Sequence, residues 1–276
     1  MRGVSVRDAL DGARTAIGAS GSQSPALDAE LLLAFALGVD RAALISDPQR
    51  EITGPPVRQF QELVRRRSVG HEPVAYLLAR KGFRSIELAV DSRVLVPRPE
   101  TELLVELALA LPPRSRVLDV GTGSGAVALA LKQERPDLLV TGADISAAAL
   151  EVARGNAERL ALDVEFVLAD LLAGLGGQWD AILSNPPYIA ERDRADLPAD
   201  VIEHEPQLAL IAGDDGLEVI RSLVAAAAQS EARLLAVEVG AGQAGAVAQL
   251  VREAGFAAVE AHRDLAGIER VVIGER

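Results

Sequence analysis

Asn185-Pro186-Pro187-Tyr188 follows the apolar run Trp179-Asp180-Ala181-Ile182-Leu183-Ser184, which places it at the C-terminal end of an expected buried strand. Two consecutive prolines fix φ and remove two backbone donors. The residue ahead of each is pushed out of the helical region. The product is a stiff, extended turn with free carbonyls and an aromatic ring. Asn185 offers a side-chain oxygen, Pro186 a carbonyl, and Tyr188 a face to pack on, so the four residues suit a planar amide or amino group. Taken alone, they also read as a rigid loop after a strand.

A second constellation lies upstream. Val117-Leu118-Asp119-Val120 runs into Gly121, Thr122, Gly123, Ser124 and Gly125, and a helix is expected over residues 126–133. Three glycines at spacing two permit a tight turn and a close approach of a ligand to the main chain. The following helix N-terminus adds free N–H groups. Asp144 ends the next expected strand, nineteen residues past Gly125, where a carboxylate suits a pair of ribose hydroxyls. Asp170 ends the third strand within reach of an adenine amino group, with Leu171 beside the ring. These residues predict a nucleoside cofactor at the carboxyl edge of a sheet. NAD prefers G-x-G-x-x-G and a pyrophosphate pocket. The loop here is G-x-G-x-G, and Asn-Pro-Pro-Tyr ends the fourth strand, a pairing that fits S-adenosylmethionine, which has no phosphates.

The elements that must position these residues can be read from the spacing of apolar side chains. Residues 1–75 read as a small helical bundle, with helices from Val6, from Ser24-Pro25 to a stop at Gly38, from Arg41, and from Pro55-Pro56. Residues 76–100 read as a β-hairpin linker, one strand over 82–90 and another over 94–96. Residues 101–276 read as the catalytic domain. Strands are expected at 116–120, 138–143, 164–168, 181–184 and 234–239, alternating with helices, followed by a pair at 257–261 and 270–273 joined without a helix and therefore antiparallel. This is an α/β, doubly wound sheet of seven strands.

Composition narrows the chemistry. The 276 residues are 49% hydrophobic and contain no cysteine, which excludes disulfides, thiolate metal sites and cysteine nucleophiles. His71, His204 and His262 are far apart and form no metal-ligand pair, so no metal is expected. Charges interrupt every apolar run before about 18 residues, so no membrane span is expected. The first residues lack the apolar core of a signal peptide. A cytoplasmic enzyme, monomeric, is the expectation. The net charge of −12 is uneven: residues 1–90 carry +2 and residues 91–276 carry −14. That anionic region argues against stable nucleic-acid binding, which draws its affinity from phosphate neutralisation.

Together these motifs resemble the Class I, Rossmann-like S-adenosylmethionine-dependent methyltransferases and, within them, the bacterial peptide chain release factor N5-glutamine methyltransferases. Asp28-Ala-Glu-Leu-Leu-Leu33, Glu72-Pro-Val-Ala-Tyr-Leu77 and Val96-Pro-Arg-Pro-Glu-Thr-Glu102 carry the likeness before the glycine loop. Ser184-Asn-Pro-Pro-Tyr-Ile189, His204-Glu-Pro-Gln-Leu-Ala-Leu210, Gly213-Asp-Asp-Gly-Leu217 and Val237-Glu-Val-Gly-Ala-Gly-Gln243 carry it after. The resemblance implies a sheet of order 3-2-1-4-5-7-6 and an N-terminal helical domain that recognises the substrate. It implies that Gly121 to Gly125, Asp144, Leu171 and Asn185 contact the cofactor, and that Asn185, Pro186, Pro187 and Tyr188 hold a glutamine from the Gly-Gly-Gln motif of release factors. The product would be S-adenosylhomocysteine. Leu171 stands where relatives often carry an aromatic residue.

Asn185, Pro186 and Tyr188 are then the expected catalytic residues, and release factors the expected protein partner. A nucleic-acid amino-methyltransferase acting on adenine N6 or guanine N2 is the alternative, since the same turn serves a flipped base. A non-catalytic binding protein of the same fold is a third reading. Arg98, Glu100 and Thr101 read either as a cap on the cofactor site or as the N-terminal cap of the following helix. Arg65-Arg66-Arg67, with Arg80, Lys81 and Arg84, reads as a basic surface or simply as a solvated face. The role of Glu238, at a strand end near the site, is open.

Overall fold

The computed structural model describes residues 3–276. The chain falls into two compact units, one running to Ala79 and taking in Pro198–His204, the other comprising Arg80–Leu197 and Glu205–Arg276.

In the first unit, β1 (Val4–Ser5) is followed by helices α1 (Val6–Ala19), α2 (Pro25–Leu37) and α3 (Arg41–Ser46). The short strand β2 (Glu51–Ile52) pairs antiparallel with β1, and α4 (Pro55–Val69) and α5 (Val74–Leu77) complete this stretch. Ser5 caps α1 by accepting from the Asp8 N–H at 3.1 Å. Gly38, at φ 65°, closes α2 in the left-handed conformation that a side chain would oppose. Ile17, Leu32, Leu33, Leu44, Phe60 and Leu63 form the core. Arg67, on the inner face of α4, is 8% exposed and reaches Asp28 at 2.9 Å and Asp200 at 3.1 Å. A buried cation held between two carboxylates satisfies the rule that buried charges must be paired. It also gives Asp28 of the motif a structural reason to be acidic.

The second unit opens with the hairpin β3 (Arg80–Phe83) and β4 (Ile86–Ala89), and continues with α6 (Glu102–Ala108), β5 (Arg116–Val120), α7 (Ala126–Glu134), β6 (Leu139–Asp144), α8 (Ala147–Leu160), β7 (Glu165–Leu168) and β8 (Ala181–Ser184). Helix α9 (Ala199–His204) is the segment that belongs to the first unit. Then follow α10 (Glu218–Gln229), β9 (Leu234–Glu238), α11 (Ala244–Glu253), β10 (Ala258–Arg263) and β11 (Glu269–Glu275). The seven-stranded sheet has the order β10-β11-β9-β8-β5-β6-β7. Its five strands from β9 to β7 are parallel, and β11 pairs antiparallel with both β9 and β10. This is the expected Rossmann-like order. All four residues of β8 are buried because helices cover both faces of a parallel sheet. The chain reverses its winding direction between β5 and β8, so a crevice opens there beyond the carboxyl ends of the strands.

The hairpin differs from the sequence expectation. The alternation over residues 82–90 predicts a single strand, but Arg84 sits at φ 47° and the chain turns at Arg84-Ser85, with Phe83 opposite Ile86. A two-residue loop of this kind lets the strands pair without splaying. Residues 94–96 form no strand, and Val94 and Val96 are instead buried as loop anchors. No helix among the described residues is long and apolar enough to cross a membrane.

Gly142 shows how tightly β6 is packed beside the glycine loop. A Cβ there would stand 2.7 Å from two ring carbons of Phe166 and 2.8 Å from Thr122 Oγ1. Gly142→Ala is therefore expected to lower the stability of the protein by about 1–3 kcal/mol through overpacking, read from the midpoint of urea unfolding.

Candidate active site

The glycine loop is built by backbone geometry. Gly121, Gly123 and Gly125 have φ of 72°, 56° and 82°. Both Gly121 N–H and Thr122 N–H donate to the Ala143 carbonyl, at 2.8 and 3.0 Å, which folds the loop across the end of β6. Asp119, 2% exposed, accepts from the Thr122 hydroxyl at 2.6 Å and from Ala128 N–H at 3.2 Å, so it ties loop to helix from below. Burial pushes its carboxyl up to about 6. Asp144 Oδ2 accepts from Gly123 N–H and Oδ1 from Ser146 N–H, both at 2.9 Å. Each oxygen keeps a lone pair for a ligand hydroxyl, and burial raises this carboxyl above its ordinary range.

Asn156 was not singled out by sequence reasoning, because a lone Asn inside a helix carries no pattern. Its side chain is fully buried, donates to the carbonyls of Ala89 and Ser124 at 3.0 Å each, and accepts from Ala89 N–H at 2.7 Å. It pins the hairpin to the glycine loop.

The Asn-Pro-Pro-Tyr turn leaves the end of β8 and is held from two sides. Gln243 donates its amide to the Tyr188 carbonyl at 2.9 Å and accepts from Gly240 N–H at 2.8 Å. Ile189 N–H donates to Leu210, and Ala212 N–H to Ile189, so the segment after the turn runs alongside residues 210–212. Gly216, at φ 76°, passes so near Tyr188 that a Cβ would collide with its carbonyl oxygen. The Gly213–Leu217 and Val237–Gln243 motifs thus act as buttresses for the turn.

A cavity of about 240 Å³ opens at the carboxyl edge of the sheet. It brings together the residues the sequence singled out: Gly121, Thr122, Gly123, Ser124, Asp144, Asp170, Leu171, Asn185, Pro186 and Pro187 all line it. Gly125 and Tyr188 lie outside its wall, as the N-cap of α7 and as a side chain packed against the core. Leu171 takes a left-handed φ of 52°, unusual for a branched side chain. Pro206, Leu208 and Ala209 close one wall. Arg93 and Arg98 also reach the cavity, but neither is free to hold a phosphate. Arg93 pairs with Asp91 and Glu151, and Arg98 with the buried Glu205 at 2.5 Å. Glu205 also accepts from Val96 N–H at 3.1 Å, which closes the Val96–Glu102 motif onto the His204–Leu210 motif.

Thr101 resolves the two readings of its motif. Its side chain makes no cap bond to α6. It accepts instead from Asn185 Nδ2 at 3.0 Å. Glu238, at the end of β9, is 1% exposed; its Oε2 has no hydrogen-bond partner among the described residues, and its Oε1 lies 3.5 Å from the Tyr188 hydroxyl. Burial pushes the Glu238 carboxyl up to about 7. Burial, together with the Glu238 charge, pushes the Tyr188 phenol up to about 12, so Tyr188 stays neutral.

Other candidates resolve into structural roles. Nε2 of His204 bonds the Gly70 carbonyl, and His71 meets Glu203. Trp179 packs in the core with the Arg116 guanidinium 5.2 Å above its ring. The arginine-rich run offers little free charge, since Arg65, Arg66 and Arg67 pair within the first unit, and Arg80 and Arg84 within the second. Among the described residues no group of three or more acidic, histidine or cysteine side chains could hold a metal ion.

Comparison with known proteins follows the same division. Residues 99–216 match the model of the Methyltransferase small domain, and residues 8–78 that of the PrmC N-terminal domain. The chain is 39% identical over 281 residues to a release factor glutamine methyltransferase of Koribacter versatilis, covering 99% of each chain. It is 43% identical over 276 residues to that of Deinococcus radiodurans, covering 98% of each. A methyltransferase of Pyrococcus furiosus, 18% identical, shares the fold with a TM-score of 0.54 over 71% of this chain and 91% of its own.

The buried Glu238 has a consequence for stability. Its carboxyl is raised in the folded state, so the stability of its neutral form is fully present below about pH 4.5 and is lost as pH rises through about 7. Wild type is expected to lose on the order of 2–3 kcal/mol more than Glu238→Gln between pH 5 and pH 8. Urea unfolding of both proteins at the two pH values measures the difference.

Proposed function

The chain belongs to the release factor glutamine methyltransferase family, and on that footing we propose that it moves a methyl group from S-adenosylmethionine to the side-chain amide nitrogen of the glutamine in the Gly-Gly-Gln motif of a peptide chain release factor. The observation that carries this reading is the orientation of Asn185. Its amide nitrogen is engaged by Thr101, which leaves Oδ1 as the free acceptor of a side chain that lines the cavity next to Pro186.

The cavity fits the cofactor chemically. Gly123 has open space where a Cβ would stand, and Asp144 keeps lone pairs for a diol. Both arginines on the wall are already neutralised, which favours a nucleoside without phosphates over a dinucleotide. Gly121 to Ser124 and Asp144 would hold the amino-acid and ribose parts, and Asp170 and Leu171 the adenine. When bound, S-adenosylmethionine supplies an electrophilic methyl carbon on a positively charged sulfur.

The protein must overcome the weakness of an amide as a nucleophile, whose lone pair is delocalised into its carbonyl. Asn185 Oδ1 and the Pro186 carbonyl accept the two N–H bonds of the substrate amide and aim its nitrogen into the cavity. Pro187 keeps the turn stiff, and Tyr188, packed against the core outside the cavity wall, anchors its end. Each hydrogen bond contributes about 1 kcal/mol net, whereas orientation can supply about 7–11 kcal/mol of the barrier. The new N–C bond forms as the carbon–sulfur bond breaks, and one nitrogen-bound proton leaves to solvent. The N-terminal helical unit, residues 1–75, recognises the release factor. Methylation of adenine N6 or guanine N2 is less well supported, because the charge of −14 over residues 91–276 repels a phosphate backbone.

Asn185→Ala is expected to slow single-turnover methylation of purified release factor by about 100-fold or more, while S-adenosylmethionine affinity changes by less than about 10-fold, the equivalent of one hydrogen bond. An unchanged single-turnover rate overturns the assigned role of Asn185.

A further inference from the structure

Two arginines reach the cavity, and their nitrogens are used differently. Arg93 engages all three: Nε and Nη2 go to Asp91, and Nη1 goes to Glu151. Arg98 engages one. Its Nη2 donates to Glu205 Oε1 at 2.5 Å, while Nε and Nη1 have no hydrogen-bond partner among the described residues. A guanidinium presents its N–H donors as a rigid planar fork, so most of this fork is left unused. The Arg98 side chain is 33% exposed, whereas that of Glu205 is buried. The carboxylate balances the charge, and the remaining edge suits a neutral acceptor rather than an anion.

Arg98 stands at the Asn185 end of the cavity. It precedes the single 3-10 turn Pro99–Thr101, and Thr101 N–H donates to its carbonyl at 3.2 Å. Thr101 is the residue that holds Asn185. Asn185 leaves β8, which lies three strand spacings from β7, about 14 Å across the sheet. Asp170 and Leu171 follow β7, so the Arg98 fork belongs to the opposite end from them. Glu205, to which Arg98 is tied, leads directly into the wall of Pro206, Leu208 and Ala209. Leu208 is 62% exposed. A lone exposed leucine is ordinary on a protein surface. This one lines the cavity, three residues along the chain from the anchor of an unfilled guanidinium.

We propose that Arg98 and Leu208 form a subsite for the main chain that flanks the target glutamine: Arg98 Nε and Nη1 donate to a backbone carbonyl of the release factor, and the Leu208 side chain packs on the adjoining glycine carbons. This rests on the reading that Asn185 holds the glutamine amide. A glutamine that reaches Asn185 draws its own backbone to the cavity mouth, where every residue brings a carbonyl in need of a donor. Glycine has no Cβ to keep a guanidinium or a leucine away from that backbone. The bond to Glu205 holds the fork in place before the substrate arrives, so less side-chain freedom is lost on binding. Arginine serves here where lysine would not, because a planar fork can grip Glu205 with one nitrogen and a carbonyl with the others.

The test pairs steady-state methylation of purified full-length release factor with calorimetric binding of S-adenosylmethionine, in wild type, Arg98→Lys and Leu208→Ala. Arg98→Lys keeps the ion pair with Glu205 and loses the fork, so a purely structural role would leave it like wild type. It is expected to raise KM for release factor by about 10-fold. Leu208→Ala is expected to raise the same KM by about 5–10-fold. In both variants the Kd for S-adenosylmethionine should stay within about 3-fold of wild type, because neither side chain is assigned to the cofactor. A release factor KM unchanged in either variant overturns the subsite. So does a loss of S-adenosylmethionine affinity larger than the rise in KM, which would assign these residues to the cofactor. If Arg98→Lys fails to fold, Leu208→Ala, at an exposed position, decides. Wild type that binds S-adenosylmethionine but leaves release factor unmethylated removes the substrate reading itself, whereas normal wild-type turnover beside unchanged variants removes only the subsite.

Discussion

The hydrogen bond from Asn185 Nδ2 to Thr101 Oγ1 is the contact on which the candidate site depends. A carboxamide substrate brings two donors and needs two acceptors in fixed directions. The Pro186 carbonyl is fixed by proline geometry. The Asn185 oxygen is fixed by no backbone constraint and would be free to turn without its partner. One bond of modest net strength therefore decides whether the turn presents matched or mismatched chemistry.

Much of the second unit supports that contact. Asn185 is delivered by β8, buried on both faces and flanked by β5 and β9. Thr101 arrives from the loop that Glu205 closes by binding Arg98 and Val96 N–H. Gln243 and Gly216 fix the turn from behind. On the other wall, Asp119, Asp144 and Asn156 hold the glycine loop by side-chain bonds to backbone groups. Such bonds satisfy orphan groups at strand ends and helix starts, and they keep a ligand's approach path free of side chains. The sheet order places both walls at the single crevice where strand connections reverse.

The strands at Arg116–Val120 and Ala181–Ser184 were legible to the residue because apolar runs bounded by glycine and proline leave little freedom. The antiparallel final pair followed from the absence of a helix between its strands. The hairpin lies within residues 76–100 as expected, but its turn is not legible because Arg84-Ser85 carries none of the glycine or asparagine that usually marks a two-residue turn. Strands β1 and β2, two residues each, are too short to leave a period. Arg67 looked like part of a solvated charge run, and only the packing of α4 showed it to be buried between Asp28 and Asp200.

The sequence by itself determined the alternation of strands and helices, the glycine loop and the proline-stiffened turn, because each rests on local rules of backbone freedom that residue types enforce directly, whereas the strand order was implied by the family resemblance. It also named Thr101 with two alternative roles and Glu238 with none. Only the tertiary structure decided that Thr101 faces Asn185 rather than its own helix, that Glu238 is buried beside the Tyr188 hydroxyl, and that Asn156 and Gln243 brace the two walls. Those contacts span from 32 to 84 residues along the chain, and a hydrogen bond at such separation depends on where the sheet brings its strand ends together.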